Sequence, residues 1–138
     1  MISEGRVEIT LHKGCVATIR YERPVDVSPL LTGQEPEEVM PLVSTLYGIC
    51  ANAQAHAAVL ALEAAMDSAA DDRTQRARAL VTSMENLREN ILRIALEWPK
   101  LTGCVPDGTA VRPAVSFLPR MRLALFNGRN PSALDAAT

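Results

Sequence analysis

Leu80, Met84, Leu87, Ile91, Ile94 and Trp98 recur at spacings of 4, 3, 4, 3 and 4 residues. An α-helix puts such positions on one face, so the spacing predicts a long helix from about Asp72 to Trp98, ended by Pro99. Arg76, Arg78, Glu85, Arg88, Glu89, Arg93 and Glu97 are expected on its other faces. A short apolar seam of this kind is expected to build the core of a bundle; pairing with a second copy of the chain is the competing use.

The natural partner for the seam is a helix from about Asn52 to Asp67, with Asn52 as its N-cap. Its alanines, with Val59, Leu60 and Leu62, leave it apolar nearly all round, so it is expected to be buried. An earlier helix is expected over about 36–47. Pro36 suits its first position, Pro41 either kinks it or marks its true start, and Gly48 stops it. A last helix is expected over about 115–126, broken by the run NGRNPS. Residues 99–113, rich in Pro and Gly, read as a loop, and 132–138 as a flexible tail too poor in apolar side chains to hold itself down.

At the N-terminus, Val7, Ile9 and Leu11 alternate with Glu8 and Thr10, and a second run carries Val16 and Ile19. This reads as a β-hairpin over 6–21, with Gly14 supplying the positive φ of the turn. A lone hairpin is marginal in water, so it is expected to pack on the helices. The fold class is α+β: an antiparallel hairpin on a mainly helical bundle, one domain over residues 1–131.

Acids and bases nearly balance, at a formal net charge of −2. That argues against nucleic acid as a partner, which needs a basic surplus. No apolar run is long enough to cross a bilayer, and no signal peptide is visible, so the cytoplasm is the expected compartment. Three cysteines, Cys15, Cys50 and Cys104, are too few and too scattered for a disulfide framework or a zinc pattern. Cys50 stands between two helices. There its thiol either fills space, as free cysteines usually do, or sits at a helix N-terminus where free N–H groups favour the metal-binding thiolate. His56, six residues on, lies close enough along the helix to approach it. Two such ligands are too few for a closed structural zinc site, and no catalytic constellation stands out, so an enzyme is not expected.

The run LLTGQEPEEVMPLVSTLYGICANAQAHAAVLALEAA, from Leu30 to Ala65, resembles a segment of nickel–iron hydrogenase large subunits of the type ILxGRDPxDAPxxTxRICGVCxxxHxxAxxxAxExA. Leu30, Leu31, Gly33 and Pro36 fall in register. Pro41 lands near the family's proline, and Gly48, Cys50, Ala55, Ala61, Glu63 and Ala65 follow. The hairpin resembles that family's opening strands, so the likeness covers roughly residues 4–66. The departures are informative. Tyr47 replaces the first cysteine of the family's CGxC, the arginine before it becomes Leu46 or lies elsewhere, and Gln54 replaces the histidine four residues after the second cysteine. The acid of the family's RGxE falls on about Ser28, and the C-terminal cysteine pair is missing. One of four thiolates cannot hold nickel, so the resemblance excludes hydrogenase activity.

That combination resembles the hydrogenase expression/formation proteins of the HupK and HoxV type, which look like degenerate, shortened large subunits. The implied role is a non-catalytic scaffold or chaperone in hydrogenase maturation. It would carry an iron–cyanide–carbonyl fragment, without nickel, on Cys50, the position of the family's bridging thiolate. A low-spin iron with strong-field ligands suits a soft donor, and a single thiolate can release its cargo. Gly48 would let the backbone come close, and Gln54 or His56 would hydrogen-bond a cyanide nitrogen. The implied partners are the maturation proteins and the hydrogenase large subunit. The alternative is a metal-free module that binds the same machinery by mimicking the large subunit's shape.

Overall fold

In the computed structural model the described residues are 5–14, 16–22 and 25–136. They are α+β, and they divide into two compact units, 1–34 and 35–138.

In the first unit, β1 (Arg6–Thr10) pairs antiparallel with β2 (Thr18–Glu22). Val7 lies opposite Tyr21 and Ile9 opposite Ile19, whereas Arg6 faces Glu22 and Glu8 faces Arg20. Alternation therefore gives one apolar face and one face of opposite-charge pairs. Gly14, at φ +76°, makes the left-handed turn expected of it. Cys15 lies outside the described residues. After β2 comes one short helical turn, α1 (Ser28–Leu31), and then Gly33 at φ +81°.

The second unit is helical. Helix α2 (Pro36–Leu46) begins at Pro36 and runs through Pro41, with Glu37 and Glu38 in its first turn, where they suit the helix dipole. Helix α3 (Ala51–Ala65) buries only the stripe Ala55, Val59 and Glu63. Leu60 is exposed, which corrects the expectation of a helix buried nearly all round. The physical reason is that α3 packs mainly against α2 and α4, which cover one stripe of it.

Helix α4 (Asp72–Leu92) opens on Asp71, whose carboxylate accepts from the N–H groups of Arg73 and Thr74. Its buried face is Thr74, Ala77, Arg78, Val81 and Glu85. The apolar seam is not the core: Leu80 is 41% exposed, Leu87 42%, Ile94 52% and Trp98 58%. The helix is turned so that two charged side chains face inward. Arg78 Nη1 donates to Glu63 Oε1 at 2.6 Å, while its other nitrogens donate to the carbonyls of Pro131 (2.8 Å) and Ala133 (2.9 Å). Gln75 Nε2 donates to the second Glu63 oxygen at 2.8 Å. Both members of the pair are almost fully buried, so an unmet charge here would be costly, and the geometry meets it. The same contacts tie down residues read from sequence as the start of the tail, and Ser132 is buried.

Pro99 does not end the helix. A π-helical turn (Arg93–Glu97) leads into α5 (Trp98–Thr102), with Pro99 in its first turn. Proline cannot donate to the Ala95 carbonyl one turn back; the Asp107 N–H takes that acceptor at 3.1 Å. Gly103, at φ +71°, closes α5. A 3₁₀ turn (Gly108–Ala110) then opens α6 (Val111–Phe126), earlier than expected because Pro113 falls in the first turn, where no N–H is needed. Asn127 and Gly128, both at positive φ, stop it where the sequence indicated. Ala77 and Val81 of α4 pack against Leu118 and Phe126 of α6.

Arg78→Met leaves Glu63 and two carbonyls stranded and is expected to cost about 3–5 kcal/mol in urea melts. The double change Arg78→Met with Glu63→Leu should cost clearly less; equal costs would mean that the pair is not the source.

Candidate functional site

Helix α2 ends at Leu46, and Tyr47, Gly48, Ile49 and Cys50 form the bend into α3. Cys50, not Asn52, occupies the N-cap position, and its side chain makes no capping bond. The thiol is half-buried, and the Gln54 side-chain amide donates to Cys50 Sγ at 3.9 Å. Gln54 and Cys50 are one helical turn apart, so the spacing alone brings them together. Gly48 has an ordinary φ, and a methyl group placed on it would meet nothing within 4 Å. Here it supplies open space beside the bend rather than a tight approach.

The cap on α3 comes from far along the chain. Glu85, on α4 and 2% exposed, accepts from Asn52 N–H (3.0 Å) and Ala53 N–H (2.8 Å), and from the Asn52 side-chain amide (2.8 Å). The free helix-end donors expected to favour a thiolate are thus bound to a carboxylate. Arg88 reaches the bend: its Nη2 donates to the Ile49 carbonyl at 3.2 Å and pairs with Glu89 at 2.6 Å.

His56 points elsewhere. Its Nδ1 lies 3.0 Å from Thr82 Oγ1 on α4, which is its hydrogen-bond partner in place of Cys50. Burial, then the Arg78 charge, hold its pKa below the usual histidine value against an opposing pull from Glu63. For Glu63, burial works against the charged form, but hydrogen bonds from Arg78 and Gln75, the Arg78 charge and a bond from the Ala70 backbone outweigh it and lower its pKa. Cys104 is exposed in the loop after α5, its thiol 3.9 Å from the Thr102 carbonyl. Among the described residues, no three His, Cys, Asp or Glu side chains form a group that could hold a metal ion. No helix among them is long and apolar enough to cross a membrane.

Sequence reasoning missed Glu85 and Arg78. The available signal was their position: Thr74, Arg78, Val81 and Glu85 share one helical face, which mixes charged with small residues.

No family model matches the chain, and no solved structure matches it. Curated relatives do. Hydrogenase expression/formation protein HupV of Azotobacter chroococcum is 35% identical over 101 residues, 71% of this chain and 30% of its own length. HupK of Azotobacter vinelandii is 36% identical over 101 residues, again 71% of this chain and 30% of its own. HupK of Rhodobacter capsulatus is 36% identical over 84 residues, 61% of this chain and 25% of its own. The chain is homologous to the hydrogenase expression/formation proteins HupK and HupV. It spans less than a third of the length of these relatives, and the homology agrees with the motif resemblance read from Leu30 to Ala65.

The geometry around the α2–α3 bend sets two expected outcomes. Glu85→Ala strands three donors at the start of α3 and is expected to cost about 2–3 kcal/mol, read by chemical denaturation; a loss under about 0.5 kcal/mol would show that water replaces the cap. The lowered pKa values set the pH dependence. Between the unfolded and folded pKa of each group the unfolded chain binds more protons, so stability falls as pH falls. The His56 contribution should be lost below about pH 6.5 and that of Glu63 below about pH 4.3. His56→Gln should flatten the upper limb of the stability–pH curve and Glu63→Gln the lower one.

Proposed function

We propose that the chain acts in nickel–iron hydrogenase maturation as a non-catalytic scaffold that presents one thiolate, Cys50, to an iron–cyanide–carbonyl fragment before its transfer to a large subunit. Homology to hydrogenase expression/formation proteins supports the maturation role. The observation that carries the finer reading is the half-buried Cys50 thiol at the α2–α3 bend, with the Gln54 amide beside it. Cys50 is half-buried rather than sealed in the core, and Gln54 could turn its N–H toward a cyanide nitrogen. His56 has no part in this version, because Thr82 holds it. The architecture is read as that of the N-terminal part of a large subunit, the work as cytoplasmic, and the partners as the maturation proteins and the large subunit.

A second reading is favoured by Glu85. A carboxylate seated on the first N–H groups of α3 repels an anionic complex at that helix end. On this reading the chain docks the maturation machinery by shape alone and binds no iron.

The test is infrared spectroscopy with iron analysis of protein co-expressed and co-purified with the maturation proteins. Cyanide and carbonyl stretches that vanish in Cys50→Ala support the carrier. Stretches that persist in the variant rule out Cys50 as the ligand. A complex that forms without iron or stretches leaves the docking module.

A further inference from the structure

The surface that the buried charges leave exposed on α4 adjoins a groove. Met84 of α4 with Phe117, Met121 and Ala124 of α6 line an open apolar cleft of about 450 Å³, with Arg120 at its edge. A second cleft of about 300 Å³ shares Ala124 and continues past Leu80 and Leu125 to Arg73 and Arg76. From Phe117 to Leu125 the groove follows α6 for about 12 Å, two helical turns. Two residues of the sequence's apolar seam, Leu80 and Met84, line it, and Leu80 is 41% exposed. A seam with coiled-coil spacing, left uncovered along a groove, has the form of a helix receptor.

Charge decides between occupants. The rim carries Arg73, Arg76 and Arg120. Two acids lie beside this rim: Asp72, 4.0 Å from Arg76 with both side chains largely exposed, and Asp71, which faces the Arg73 charge while its carboxylate caps α4; against three arginines they leave a smaller positive surplus. A second copy of the chain would bring the same arginines against themselves in either orientation. An acidic partner meets no such penalty. Two methionines in the wall let the groove adapt to the apolar residues it receives.

We infer that the α4–α6 groove is a docking site for an amphipathic helix of a partner protein, one whose apolar face is flanked by glutamates or aspartates. This is independent of Cys50. The groove reads apolar residues at i, i+3 or i+4, and i+7, and the arginine rim reads the acidic flanks.

The experiment uses the purified chain and two fluorescently labelled helical peptides that share one leucine-rich face, one with glutamate flanks and the other with lysine flanks. Anisotropy titrations should show the glutamate peptide binding at least about tenfold more tightly, with affinity falling as salt rises. Met121→Asp should abolish binding. Arg76→Glu with Arg120→Glu should reverse the preference toward the lysine peptide, with circular dichroism confirming an unchanged helix content. Sedimentation should show a monomer. Equal affinity for the two peptides, no binding of either, or a dimer that Met121→Asp dissociates would overturn the inference. Because the readout needs neither iron nor maturation proteins, its failure is separate from failure of the carrier role.

Discussion

The rotation of α4 is set by two buried carboxylates and one buried guanidinium. Glu63 near the end of α3 reaches Arg78 near the start of α4, and Glu85 further along α4 reaches back to the start of α3. The two helices are clamped at both ends by bonds to charged groups. Each group sits where an unpaired charge would be strongly unfavourable, so the helix has little freedom to turn. Arg78 extends the clamp to the carbonyls of Pro131 and Ala133, and thereby fixes the chain after α6. Buried ionic pairs of this kind are weak evidence for net stability, but they are demanding about geometry. Their role here is orientation.

Once α4 is oriented by its charges, its apolar seam has to face outward, and the remaining contacts fall into place around that. The small residue Ala77 allows α4 and α6 to come close, and Val81, Leu118 and Phe126 fill the space between them. The core is modest for a chain of this length. The apolar content that the sequence devotes to Leu80, Leu87, Ile94 and Trp98 is spent on the surface.

Local chemistry was readable from sequence; long-range pairing was not. Alternation gave the hairpin, Gly14 its turn, Pro36 the start of α2, and Asn127 with Gly128 the end of α6. The resemblance around Cys50 picked out the bend, and the four-residue spacing to Gln54 brought those two side chains together. What failed was the weighting of charged residues on α4. Glu85 and Arg78 read as solvent-facing because their partners lie 33 and 15 residues away. Seven-residue periodicity then outweighed them. Two prolines misled in the same local way: Pro99 and Pro113 each fall in a first turn, where no N–H is needed, and the π-helical turn that places Pro99 there leaves no sequence signature.

The capping of α3 also bears on how a single-thiolate carrier would have to work. A helix end with free N–H groups would hold an anion strongly and release it slowly. With Glu85 seated there, Cys50 would contribute a lone covalent anchor with weak electrostatic support, and the cargo's residence time would depend on whatever covers the site in the assembled complex. On the carrier reading, loading and docking would be coupled: iron would be retained while a partner shields the thiolate and lost when the partner leaves. A scaffold that hands on its cargo needs that property. An isolated chain with no bound iron would be the expected state of such a carrier, so the decisive measurements are those made on the assembled complex.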